Sequence, residues 1–135
     1  MSEEFVQKAI IKWLKSKGYR LTKDTYKLFG IDIKAYNLMG KYYFVECRGE
    51  AEREDGYLNF CAGLGQLILR INKDIKRWRN YGFGLPDTKH FERQYKKFLS
   101  LPSKLRRTLR ICFLFVNEKG EVKEDKSWSV CKNKL

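Results

Sequence analysis

The stretch "KYYFVECRGE", Lys41 to Glu50, constrains the fold more than any other part of the chain. With the alternation of a β-strand, Tyr43, Val45 and Cys47 project to one face, and Tyr42, Phe44, Glu46 and Arg48 to the other. Both faces begin with large apolar groups, so the strand is expected inside a sheet covered on both sides. Yet it closes with a carboxylate and a guanidinium two residues apart on one face. A buried strand tolerates such charges only when they have partners or a task.

The flanking patterns supply the covering layers. Residues "SEEFVQKAIIKWLKSKG" read as an amphipathic helix with Ser2 as N-cap, acids in the first turn, and Phe5, Val6, Ala9, Ile10, Trp13 and Leu14 on its apolar face; Gly18 ends it. A short strand near Tyr19 to Lys23 follows, then a strand over Gly30 to Tyr36, the turn "NLMG", and the strand from Lys41 to Arg48, the last two forming a hairpin. After the charged loop "GEAEREDG", a long helix is expected from about Leu58 to Arg79 with Cys61, Leu64, Ile68, Ile71, Ile75 and Trp78 as its core stripe, Gly63 and Gly65 weakening its first turns.

Beyond it, "NYGFGLP" reads as a short strand, and Asp87 as the cap of a helix burying Phe91, Tyr95, Phe98 and Leu99. "LPSKLRRTLR" is a basic turn or short helix, and "RICFLFVNEKGEVKEDKSWSV" a closing hairpin turning at "NEKG". This order predicts one α/β domain over residues 1–135, a sandwich of helices on a mixed sheet.

The 29 Lys and Arg against 16 Asp and Glu give a formal charge of +13, which points to a polyanion and first to nucleic acid. No apolar run approaches the roughly 20 residues of a spanning helix, and the N-terminus lacks a signal-peptide core, so no membrane and a cytoplasmic location are expected. Cys47, Cys61, Cys112 and Cys131 form no C-x-x-C pair; they read as buried thiols rather than metal ligands, and a disulfide cannot be assigned from their spacing.

The same alternation sets Asp32 and Lys34 of "FGIDIKAY" on one face and Ile31 and Ile33 on the other. Across the hairpin, Asp32 and Glu46 then share a face, close enough to hold a divalent cation such as Mg²⁺. The charge pattern equally permits structural pairs, Asp32 with Arg48 and Glu46 with Lys34.

The segment "GIDIKAYNLMGKYYFVECRGE", preceded by a helix ending in "KGY" and followed by "GLGQLILR", resembles the core of the PD-(D/E)XK nuclease superfamily, and the later order of elements fits the same restriction-endonuclease-like fold. The resemblance implies an α/β/α sandwich, Asp32 and Glu46 as ligands of Mg²⁺ (or Mn²⁺ in its place), and the backbone carbonyl of Cys47 as a further ligand. Arg48 stands where the family has a lysine. Arginine keeps its proton at any working pH, so Arg48 cannot act as a general base, but it can hydrogen-bond the scissile phosphate.

Lys34 can bring an ammonium from the adjacent strand, its alternative being a solvated strand-end lysine. Family members often add an acid from the first helix. Glu3 lies about 70° from the apolar centre of that helix and Glu4 nearly opposite, which favours Glu3, with a role at the helix dipole as the alternative. Gln66 resembles the glutamine many members carry on the helix after this strand. Together with Arg70, Lys73 and Arg77 it forms one helical stripe that can follow a phosphate backbone or simply face solvent. His90 receives no role.

The expected activity is a Mg²⁺-dependent DNA nuclease, most naturally an endonuclease. A DNA-binding module of the same fold that has lost efficient hydrolysis is one alternative, and a Holliday junction resolvase, which requires a homodimer, is another.

Overall fold

The computed structural model describes residues 1–22, 32–50, 56–71 and 79–129. They form a six-stranded sheet in which spatial order follows chain order. β1 (Arg20–Leu21), β2 (Ile33–Tyr36) and β3 (Tyr42–Cys47) pair antiparallel; β3, β4 (Arg79–Pro86) and β5 (Ile111–Val116) run parallel; β6 (Val122–Lys126) returns antiparallel to β5.

Parallel neighbours need long crossovers. α2 (Gly56–Ile71) lies between β3 and β4, and α3 (Lys89–Leu99) with α4 (Ser103–Leu109) between β4 and β5. Two successive crossovers progressing in the same direction put their helices on the same face, given one handedness. Accordingly Phe60 and Leu67 of α2 and Phe91, Tyr95 and Phe98 of α3 pack with Phe44, Phe83 and Phe113 of the sheet. α1 (Glu3–Ser16) covers the other face, setting Val6, Ile10 and Leu14 against Ile33, Val45, Cys47 and Leu114. The result is the mixed α/β sandwich expected, with the two faces of β5 split between the two cores: Ile111, Phe113 and Phe115 in one, Cys112, Leu114 and Val116 in the other.

Glycine in β4 makes the α1 layer possible. A Cβ at Gly84 would collide with Ile10, so the helix lies directly on the strand backbone.

Both hairpins turn on the same chemistry. Asn37 and Asn117 each accept at Oδ1 from the backbone N–H two and four residues on, at 2.9 to 3.0 Å, and Gly40 and Gly120 take φ of +76° and +79°. The residues between differ: Leu38 and Met39 are 88% and 82% exposed.

Several local expectations are corrected. The N-cap of α3 is Thr88, whose hydroxyl accepts from the Phe91 N–H, because Asp87 is held by its own N–H donating to the Val116 carbonyl. α2 does not reach Arg79, which already belongs to β4; Ile75 and Trp78 lie outside the described residues. Its buried line runs through Phe60 and Leu67, which turns Cys61 to solvent, whereas Cys47 and Cys112 are buried thiols as expected and Cys131 lies outside the described residues. In α1, Ser2 caps as expected, but Ile11 is buried and Phe5 exposed. The second strand begins only at Ile33, with Asp32 in the bend before it; residues 30 and 31 lie outside the described part.

Candidate active site

The "NLMG" turn sets the register Ile33↔Val45 and Lys34↔Phe44, and one further step brings Asp32 level with Glu46. Asp32 Oδ2 accepts from the Cys47 N–H at 2.7 Å, and the Gln7 side chain of α1 hydrogen-bonds the same carboxylate. Burial raises the Asp32 pKa, opposed by the Cys47 amide, Arg48, Arg70 and Gln7.

Glu46 is the more constrained acid, only 3% exposed. Its Oε1 lies 3.4 Å from Arg48 Nη2, while its Oε2 is buried with no hydrogen-bond partner among the described residues. Burial, then the neighbouring Asp32, push its pKa from 4.5 to about 7 against the pull of Arg48 and Arg70.

Arg48 joins the site together. Its Nη1 reaches Glu3 Oε1 at 3.4 Å and its Nη2 donates to Gln66 Oε1 at 2.9 Å, while its Nε is buried without a partner among the described residues. The side chain passes beneath α2 at Gly63, where a Cβ would come within 2.8 Å of Arg48 Nε and of Phe83 Cζ. Gly63, which weakens the helix in isolation, is therefore the clearance through which Arg48 reaches the acids.

The loop after β3 gathers the other elements. A Cβ on Gly49 would collide with the Glu3 amide, the Glu50 N–H donates to the Met1 carbonyl at 2.9 Å, and Asn59 of α2 donates to the Gly49 carbonyl at 2.9 Å. Glu3 is thereby held beside the acids; burial and Asp32 raise its pKa while Arg48 lowers it.

Glu3, Asp32, Glu46, Arg48 and Gln66 thus come together, as the sequence suggests. Arg48 pairs with Glu46 and Glu3, which departs from the simple Asp32–Arg48 pairing. Arg70 acts on both Asp32 and Glu46, so its charge belongs to this cluster. Lys34 lies on the same face, opposite Phe44 and two residues along β2 from Asp32. Lys73 and Arg77 lie outside the described residues. Gln7 was not anticipated. Its position four residues after Glu3, one turn along α1, is the only signal the sequence offers for it.

Among the described residues no three His, Cys, Asp or Glu side chains are gathered as a metal cage. What the site does hold is a carboxylate oxygen buried without a partner beside a second carboxylate, a donor set that fits one hard divalent cation.

No protein-family model matches this chain, and no curated protein matches it. Solved structures do. An XisH family protein from Nostoc punctiforme PCC 73102 superposes with a TM-score of 0.58 at 18% identity, over 88% of this chain and 96% of that one. An fdxN element excision controlling factor protein from Anabaena variabilis gives 0.58 at 19% identity, over 89% and 96%. At these identities the likeness is one of fold, and the fold of this chain is the one those proteins share.

Proposed function

We propose that this chain is a metal-dependent DNA nuclease of the PD-(D/E)XK type, with Asp32, Glu46 and the Cys47 carbonyl as the ligands of Mg²⁺. The observation that carries this reading is the Oε2 of Glu46, buried without a partner among the described residues: a carboxylate whose pKa is raised by burial and by the neighbouring Asp32 calls for a cation. The name of the second fold neighbour, an excision controlling factor, agrees with a role at nucleic acid.

When bound, Mg²⁺ supplies neutralisation of the phosphate oxygens and a more acidic water. The chain's own groups do the rest. Arg48 lies within 3.4 Å of Glu46 and presents a planar fork to a phosphate, where it stabilises the charge that grows as water attacks phosphorus and an alkoxide leaves. Gln66 fixes that fork through the 2.9 Å hydrogen bond, and Gln7 and the Cys47 amide hold the Asp32 carboxylate in place. Arg70, whose charge bears on both acids, meets the phosphate backbone beside the site, a task that the sequence spacing alone extends to Lys73 and Arg77.

A second reading rests on Arg48 itself. A guanidinium 3.4 Å from both Glu46 and Glu3 is a built-in countercharge, and an arginine that takes the place of the cation leaves a DNA-binding module without hydrolysis. Calorimetric titration with Mg²⁺ and Mn²⁺ separates the two, since only the nuclease shows binding that disappears in Asp32→Ala and Glu46→Ala. Cleavage assays on single-stranded, duplex, flapped and four-way DNA then define the substrate. Either alanine variant is expected to lose cleavage by a factor on the order of a thousand while retaining DNA affinity, because affinity comes mostly from cations on phosphates. Full turnover in both variants rules the site out.

A further inference from the structure

On the sheet face away from Asp32 and Glu46, at the opposite end of the parallel strands, lies a cleft of about 280 Å³. Its floor is formed by Tyr43 and Cys112, both buried. Three cations from three separate elements line it: Lys17 at the C-cap of α1, Arg110 between α4 and β5, and Lys126 at the end of β6. Among the described residues the one lining carboxylate, Glu124, accepts from the Tyr43 hydroxyl at 2.8 Å. Three positive charges and one negative leave the described lining at +2.

Two features mark the cations as positioned rather than scattered. Lys17 Nζ lies 6.0 Å from the Trp13 ring centroid and Arg110 Cζ 4.7 Å from that of Trp128, so each charge rests on an aromatic face that also lines the cleft. A guanidinium stacked in this way keeps its N–H edge for another partner.

Arg110 is also the one non-glycine residue with positive φ among the described residues, at 50°. It is the C-cap of α4, its N–H bonding to the Arg106 carbonyl at 2.9 Å, a position that glycine fills without strain and another residue fills at a cost of about 1 kcal/mol. An arginine kept there is explained by its side chain, not by its backbone. The wall is firm: Arg106 Nη1 donates to the Ser127 carbonyl and Ser127 Oγ to the Ile111 carbonyl, each at 2.6 Å, which fixes the chain next to Trp128.

We propose that this cleft binds a phosphomonoester. Its charge of +2 matches a phosphate dianion, Arg110 offers a planar fork and Lys17 and Lys126 two ammonium groups, and its volume suits a phosphate carrying one group of nucleoside size. Such a phosphate has two sources, a free mononucleotide or the phosphorylated end of a nucleic-acid strand. The site stands apart from the carboxylates, and its standing is independent of whether they support hydrolysis.

Deoxyadenosine monophosphate and one short oligonucleotide, with either a 5′-phosphate or a 5′-hydroxyl, test this by calorimetry and tryptophan fluorescence at salt high enough to screen loose surface binding. Saturable binding of the mononucleotide, of the phosphorylated strand, or of both is expected, the pattern identifying the source. Arg110→Gly is expected to weaken it at least about tenfold while keeping or raising the melting temperature, since glycine relieves the left-handed conformation. Lys126→Gln weakens it less, and Asp32→Ala leaves it unchanged. Absence of saturable binding by both the mononucleotide and the phosphorylated strand, equal binding of the two strands where the mononucleotide does not bind, unchanged affinity in Arg110→Gly, or loss of binding in Asp32→Ala each overturns the proposal.

Discussion

The corner where α4 meets the end of β6 and the end of β3 each enclose most of one guanidinium, and they treat it in opposite ways. Arg106 is 1% exposed and donates from Nε to the Leu101 carbonyl at 3.1 Å and from Nη1 to the Ser127 carbonyl at 2.6 Å. Bonds to neutral backbone oxygens bind α4 to the turn that follows β6. Arg48, with 19% of its side chain exposed, faces two carboxylates at a looser 3.4 Å, and both its Nε and the Oε2 of Glu46 are buried without partners among the described residues. The same charge serves as a structural tie in one place and is left incompletely satisfied in the other. At these two guanidiniums the hydrogen bonds are filled where only stability is at stake, and the gaps fall beside the acids.

The largest effect expected from this contrast is at Arg106. Arg106→Met orphans the Leu101 and Ser127 carbonyls and should lower stability by about 3 kcal/mol, or melting by roughly 10 °C, with cleavage per folded molecule unchanged. A variant as stable as the parent would erase the distinction between the two corners, because buried charges can be replaced by apolar groups without loss.

Next comes the pH dependence of the metal-free protein. The Glu46 pKa is about 7 in the folded chain against an ordinary 4.5, so between these values the folded state holds the extra proton. Its contribution to stability is complete below about pH 4.5 and is lost as the pH rises through about 7. With a chelator present, Glu46→Gln should therefore melt higher than the parent at pH 8, the gap closing toward pH 5. A constant gap would mean that the ionised carboxylate is already satisfied without a cation.

The smallest effect sharpens the role of Arg48. Arg48→Lys should keep or raise cleavage, and Arg48→Ala should lower it at least about tenfold, or about 1.4 kcal/mol of transition-state stabilisation. If both variants melt lower while cleaving at the parental rate, Arg48 is a second Arg106 and the comparison fails.

Much of this was legible from local pattern. The period of two in β2 and β3 and the Asn–Gly turn were enough to bring Asp32 level with Glu46, because both operate over a few residues. What was not legible depends on distant elements. The angle of Glu3 on its helix leaves open whether it meets the acids; the close approach of Gly49 to the start of α1 settles that. Gly63 reads as a weak helix residue until Arg48 is seen beneath it. Leu64, Ile68 and Ile71 pack on the core as their spacing suggests, but Cys61 does not: the stripe runs instead through Phe60 and Leu67, and the choice between two neighbouring residues at its start is made by packing against Phe83 and Phe113.

The paired turns carry one more consequence. Since Asn37 and Gly40 do the bending, as Asn117 and Gly120 do in the other hairpin, the backbone has no stake in which side chains stand between them. Leu38 and Met39, almost wholly in water, are therefore positions at which side chains can be exchanged and screened for interaction alone, provided the span from Asn37 to Lys41 keeps its length.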